Sequence, residues 1–390
     1  MFDYFIFKSE GRSVMAARSY LIVAASIGSG HMKAAEALAA ALLRAEPEAH
    51  VAVVDFTKRD TAWVTWFMKA VYLKMLHFMP NLYQLLYRFT GHRQGASPVQ
   101  KLIASLTKRN MRSLVRRHAA DTVICTHPFP EGAASCLKES GEEDFFFATV
   151  LTDYSVHRMW FYPGVDAFFV ATERMRRSLV KEGCAATAVH ATGIPILPLS
   201  PAGFDRAAIC ERLGLSESLP TILVMGGGLG LGDVAHSLEK IEDVAEKLQI
   251  LVVAGKNERL LAWVKEHAVR SHHAVRAWGY TDAVPELMAA AALLISKPGA
   301  LTISEAWAMG VPLILHEPIP GPELENAMIA SERGTAVWLG KGENLAALVM
   351  GLLGDAPRLA SMREAARLAS RPAAAQEIAR FLQAAGASVG

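Results

Sequence analysis

Short, near-continuous apolar runs alternating with helical patterns occur twice along this chain, and that alternation constrains its fold more than any other feature. In the first half the runs lie at 20–26 (YLIVAAS), 51–56, 121–126, 145–152, 167–171 and 188–192. A strand that is apolar at every position has protein on both faces, whereas a strand half open to water alternates apolar with polar residues. Helices between such strands supply the covers and make a parallel sheet the expected arrangement. The pattern restarts at 221–225, 250–254, 274–277, 293–296, 311–315 and 335–339, after the proline-containing stretch GIPILPLSPAG at 193–203. Two Rossmann-like α/β domains are therefore expected, at 19–195 and 204–372. An extension at 1–18 precedes them and a terminal helix lies within 373–390. At 390 residues the chain has the length for two cores.

Composition removes several classes. Cys125, Cys136, Cys184 and Cys210 form no CxxC pair and have no histidine at metal-ligand spacing, so reduced thiols are expected rather than a disulfide framework or a zinc site. A formal net charge of +2 gives no reason to expect a nucleic-acid partner. Residues 1–18 have a short apolar patch broken by Asp3 and Lys8, which suits neither a signal peptide nor a membrane span.

Ligands of open α/β sheets bind at the carboxyl ends of the strands, so the residues after each apolar run carry the functional information. In the second half, 221–225 runs into Gly226, Gly227 and Gly228, 250–254 into Gly255, Lys256 and Asn257, and 274–277 towards Tyr280. LLIS at 293–296 ends in Lys297-Pro298-Gly299, and a helix is expected to begin near Thr302. Its free N–H groups and dipole, with the hydroxyls of Thr302 and Ser304, suit a pyrophosphate. Glu305 is placed to reach a ribose diol, and a loop with Glu317, Glu323, Glu325 and Asn326 offers acceptors to sugar hydroxyls. This is the arrangement a nucleotide-sugar site requires. An ordinary βαβ unit with a charged loop is the plain alternative.

In the first half SIGSGH, residues 26–31, follows the first strand and opens an alanine-rich helix. His31 is thereby set at a helix N-terminus, whose dipole favours a neutral imidazole, the form that accepts a proton. Asp153 closes the FFFATVLTD run and could orient His31, act as a base itself or cap a helix. His127 and His157 are further candidates in supporting positions. A dinucleotide reading, with Asp55 as the acidic residue after the second strand, is weakened by Lys33 where close packing wants glycine.

These motifs together resemble the family 28 glycosyltransferases, above all the diacylglycerol glycosyltransferases and monogalactosyldiacylglycerol synthases. The resemblance is carried by SIGSGHMKAAEAL, THPF (126–129), TDYSVHRMW (152–160), MGGG (225–228), AGKNERL (254–260), PGALTISEA, GVPLIL and PGPELENA, and covers roughly 19 to 385. It implies the GT-B architecture, two Rossmann-like domains facing a cleft, with the terminal helix able to return to the first domain. It also implies inverting transfer of a hexose from a UDP-sugar to a lipid hydroxyl, diacylglycerol foremost, with His31 as base. Helix dipole and hydroxyls would hold the leaving pyrophosphate, with no metal or other cofactor. Relatives commonly carry PGQE where this chain has Pro320-Gly321-Pro322-Glu323, which leaves the donor sugar open. Transfer to another lipid-linked or small acceptor, a UDP-sugar epimerase and a nucleotide-sugar-binding regulator remain the other readings.

Residues 59–93 mix Trp, Phe, Tyr and Met with Arg59, Lys69, Lys74, Arg88 and Arg93. Aromatic side chains among cations suit an anionic membrane surface, and buried helices are the plain alternative. A lipid acceptor makes a cytoplasmic enzyme, peripheral on the inner face of the cell membrane, the expectation.

Overall fold

The computed structural model describes residues 4–7, 17–26, 28–57, 98–228, 230, 233–316, 321–340 and 342–387. The aromatic and basic stretch at 59–93, like Glu317, lies outside the described residues. The chain divides into two compact units, 1–197 with 320–322 and 373–390, and 198–319 with 323–372.

The first unit runs β1 (Tyr4–Phe7), β2 (Ser19–Ala24), α1 (Gly30–Ala45), β3 (His50–Asp55), α2 (Pro98–His118), β4 (Thr122–Cys125), α3 (Pro128–Glu139), β5 (Phe146–Val150), β6 (Ala167–Val170), α4 (Glu173–Lys181) and β7 (Val189–Ala191). Among the described residues its sheet has the order β1-β3-β2-β4-β5-β6-β7. β1 lies antiparallel to β3, with Tyr4 opposite Val54, and the other pairings are parallel. Residues 1–18 were expected only as an extension, and they contribute this edge strand.

Period-two geometry explains why β2 is apolar throughout. Tyr20, Ile22 and Ala24 face a core shared with Leu38 and Leu42 of α1, while Leu21 and Val23 face one shared with Met111 of α2 and Leu137 of α3. Burial of each large aliphatic side chain contributes about 1.5–3 kcal/mol. The C-terminal helix α13 (Ala374–Ala387) belongs to this unit: Ala375, Ile378, Ala379 and Leu382 complete the core on the α1 side.

The second unit contains α5 (Arg206–Leu213), β8 (Thr221–Met225), α6 (Val234–Ile241), β9 (Gln249–Val253), α7 (Glu258–Arg270), β10 (Ala274–Trp278), α8 (Val284–Ala290), β11 (Leu293–Ser296), α9 (Ala300–Met309), β12 (Leu313–Leu315), α10 (Pro322–Glu332), β13 (Ala336–Trp338), α11 (Leu345–Leu353) and α12 (Ala356–Ala369). Its six described strands are all parallel, in the order β10-β9-β8-β11-β12-β13.

Both sheets reverse direction at one point. In the first, the chain moves outward from β2 to β3 and then returns to β4 on the other side. In the second it moves from β8 through β9 to β10 and returns to β11. The loops after β2 and β4, and after β8 and β11, therefore diverge to opposite sides and leave a crevice at the carboxyl edge of each sheet.

Candidate active site

In the first unit His31 is the second residue of α1, and Thr126 follows β4 across the crevice. The Nδ1 atom of His31 lies 2.9 Å from the Thr126 carbonyl oxygen and 2.7 Å from Thr152 Oγ1. A carbonyl can only accept, so Nδ1 carries the proton and Nε2 keeps its lone pair. Thr152 Oγ1 in turn donates to the same carbonyl at 3.3 Å. Burial is the main influence lowering the His31 pKa; the Asp153 charge and the Thr126 carbonyl oppose it. Desolvation thus works in the same direction that the sequence analysis expects of the helix dipole, towards a neutral ring.

His127 stands with its ring 4.5 Å from that of His31, edge to face. It is the N-cap of α3, and its Nδ1 accepts the Phe129 N–H at 3.0 Å. The proton of this neutral ring is thus on Nε2. Burial, and then the proximity of His31, push its pKa well below 6.5. His157 shapes the turn at Arg158–Trp160 by accepting the Met159 N–H at 3.2 Å. Asp55 accepts from Ser26 N and from Thr57 N and Oγ1 at 2.6–3.1 Å. Burial alone would raise its pKa, but these bonds hold it below the ordinary value. All three bonds fall on Oδ1, so the carboxylate braces the loops around β2 and β3.

In the second unit the glycine turn after β8 and the Lys297 turn after β11 meet at the crevice. Gly227 has φ +72°, and a Cβ there would lie 3.3 Å from Lys297 Cε. Lys297 Nζ is 2.6 Å from Glu323 Oε1, and the pair is largely shielded from solvent. Gly255, with φ +59°, backs onto the same turn: a Cβ would lie 2.6 Å from the Gly227 carbonyl oxygen, and Lys256 N donates to Gly228 O at 3.1 Å. Lys256 Nζ sits 5.2 Å from the Tyr280 ring centroid, a cation–π pair at the exits of β9 and β10. Gly299 is the N-cap of α9. The N–H groups of the first turn, Ala300 to Thr302, have no intrahelical acceptor, and they point out at the same end as Lys297.

Several predicted ligands are placed differently from the expectation. α9 begins at Ala300 rather than near Thr302, so Ser304 is buried in the second turn and its hydroxyl donates to Ala300 O at 2.8 Å. The Asn257 side chain caps α7 through Leu260 N at 3.0 Å and donates to Gly230 O at 3.3 Å. Asn326 is buried and donates to Pro298 O at 3.2 Å, bracing the turn that carries Lys297. Glu323, Glu325 and Asn326 lie in the opening turns of α10, not in a loop, because Pro322 is a favourable first helical residue. Thr302 and Glu305 are half-buried on α9, and Glu325 is exposed.

Residues 31–196 match the family described as monogalactosyldiacylglycerol (MGDG) synthase, and residues 221–378 the glycosyltransferase family 28 C-terminal domain. A processive diacylglycerol beta-glucosyltransferase of Bacillus mycoides is 32% identical over 359 residues, 92% of this chain and 91% of the relative. The chain belongs to the diacylglycerol glycosyltransferase branch of family 28. It is accordingly a glycosyltransferase. MurG of Acinetobacter baumannii has the same fold, with a TM-score of 0.59 at 16% identity over 94% of this chain and 99% of its own. MnaA of S. aureus, solved with UDP, superposes with a TM-score of 0.61 at 15% identity over 94% and 96%. The architecture is GT-B.

Two residues of this family 28 chain gave little sign in the sequence. Lys297 reads there as part of a turn, and only the strand order brings it to the glycines of β8. His316, after β12, donates its backbone N–H to Ser296 O at 3.0 Å and sets its ring 3.2 Å from Ser237 Oγ on α6. Burial lowers its pKa, opposed by Asp233. Among the described residues, the one group of histidine and carboxylate side chains within metal-ligating reach of each other is Glu242, His272 and His273. It lies at the amino ends of β9 and β10, and both His273 nitrogens are taken, by Leu248 N and Ile241 O.

Proposed function

We propose that this enzyme transfers a hexose from a UDP-sugar to the hydroxyl of diacylglycerol, with inversion at carbon 1, at the inner face of the cell membrane. The observation that carries the reading is His31, whose proton is fixed on Nδ1 so that Nε2 is left as a base. The acceptor oxygen attacks carbon 1 as His31 Nε2 takes its proton, and the bond from carbon 1 to the phosphate oxygen breaks with its electron pair leaving on UDP. Asp153 raises the basicity of His31 and so stabilises the imidazolium that forms. His127 stays neutral and adds no opposing charge.

The charge developing on the diphosphate is met by Lys297, by the N-terminus of α9 with Thr302, and by backbone N–H groups of the Gly226–Gly228 and Gly255 turns. These groups serve without a metal ion or other cofactor, so turnover is expected to be unchanged in EDTA. Glu305 takes the ribose diol, Lys256 and Tyr280 flank the base, and Glu323 with Glu325 is left to face the sugar. The diacylglycerol acceptor is supported by the names of the relatives; the UDP donor is supported by the glycine turns and by the UDP-bound neighbour of the same fold.

Incubation with labelled UDP-glucose or UDP-galactose and dispersed diacylglycerol tests the reading. Label in the lipid phase with the β-anomeric configuration is expected. Label confined to water-soluble free sugar or an epimerised nucleotide would replace it with the epimerase reading.

A further inference from the structure

We propose that the outer face of α2 is a docking surface for a bilayer bearing anionic lipid, an inference that rests on the proposed lipid acceptor. The helix spans Pro98–His118 and contains six Lys or Arg and no Asp or Glu. Its inner stripe, Ala104, Thr107, Met111, Leu114 and Val115, is buried in the first unit. The opposite stripe follows the spacing i, i+4, i+7, i+11 through Leu102, Leu106, Arg109 and Ser113, so these residues share one face. Leu102 is 60% exposed and Leu106 is 55% exposed, one turn apart, with Lys101 and Arg109 exposed beside them.

Charge distribution separates this end of the helix from the other. Lys108 and Arg112 bind Glu142 at 2.6 and 2.5 Å, and Arg116 binds Glu143, so those cations are neutralised within the unit. Among the described residues no carboxylate pairs with Lys101 or Arg109. Two exposed leucines flanked by two uncompensated cations have the chemistry of a membrane-surface helix: the alkyl groups enter the headgroup boundary while the cations meet lipid phosphates. In sequence, α2 follows directly on the aromatic and basic stretch at 59–93. The complementary partner is an anionic lipid surface.

Co-sedimentation of the full chain with phosphatidylglycerol-containing vesicles, without sugar nucleotide, tests this directly. Leu102→Ser with Leu106→Ser is expected to lower binding about tenfold or more at both low and high salt. Lys101→Gln with Arg109→Gln is expected to lower it by a similar factor at low salt, with the difference vanishing at high salt. Both variants should keep the wild-type Tm and wild-type turnover on a short-chain acceptor dispersed in detergent. Undiminished vesicle binding by both would overturn the proposal. So would a lowered Tm of the leucine variant with binding intact, because the ridge is then covered by protein. If the vesicle results come out as expected while the wild type glycosylates no lipid, the surface stands and the proposed reaction fails.

Discussion

At the switch point of the first unit burial holds two histidine side chains neutral, while the Asp55 carboxylate braces the adjoining loops; at that of the second the polar groups are backbone amides and one ion pair. His31 and His127 both lose basicity through desolvation, and each has one ring nitrogen fixed by the backbone. The second crevice instead gathers Gly227, Gly230 and Gly255 in the left-handed region around the Lys297–Glu323 pair. A proton acceptor at neutral pH has to be uncharged and aimed, which burial and fixed bonds achieve. A diphosphate needs many short donors and close approach, which turns without side chains allow.

The sharpest test of the first half is His31→Ala, expected to cost about a hundredfold or more in turnover while UDP affinity stays near wild type. The pH profile has a definite sign. On the proposed mechanism the neutral imidazole is the active form, and its pKa is lowered, so kcat/KM should fall only as pH drops below the ordinary 6.5. An unchanged rate in the variant would move the base role to Asp153. Equal losses of UDP affinity and turnover would break the division of labour between the two crevices.

The glycine turns can be compared with each other. Gly230 has φ +62°, and a Cβ there would collide with the Ala254 carbonyl and lie 2.6 Å from Asn257 Cβ. Gly28, in the turn before His31, has φ +99° but nothing within 4 Å of its Cβ position. Gly230→Ala therefore adds a clash to the backbone strain of about 1–3 kcal/mol, while Gly28→Ala carries the strain alone. Urea unfolding should rank Gly230→Ala as the more destabilising. The reverse order would show that the second crevice, not the first, has the adaptable turn.

Glu305→Ala is expected to weaken UDP binding by about 1–3 kcal/mol, the loss of one charge-assisted hydrogen bond. Calorimetry measures it. Affinity equal to wild type would place the ribose on other groups and leave the backbone turns as the whole of the donor site.

Much of the fold was legible because its strands are covered on both faces, so apolar runs mark them directly. Where boundaries moved, backbone chemistry moved them. The run at 311–315 was expected as a strand, but Pro312 has no N–H to donate, and β12 starts at Leu313. α9 starts two residues early because Gly299 caps it and Ala300-Leu301 are good helix formers. The site was harder to read. His31 announced itself at a helix start, but its bonds to Thr126 and Thr152 depend on strand order. Asn257 and Asn326 have amides that serve a ligand or a backbone equally well, and composition does not distinguish the two.

Glu131 extends the neutral burial into α3, the helix that His127 caps. It lies in α3, fully buried, with Oε1 accepting from Thr149 Oγ1 at 3.0 Å and Oε2 without a hydrogen-bond partner. Burial pushes its pKa well above 4.5, against the Thr149 bond, and so favours the protonated carboxyl. A raised folded value means that its contribution to stability is fully present below about 4.5 and is lost as pH rises through the folded pKa. Glu131→Gln retains the acceptor for Thr149 and has no proton to lose. The variant should melt above the wild type at pH 7 to 8, with the two converging as pH falls towards 4. Parallel Tm curves across that range would mean that Glu131 is charged in the fold, and the part of the comparison that rests on burial holding the side chains of α3 neutral would have to be given up.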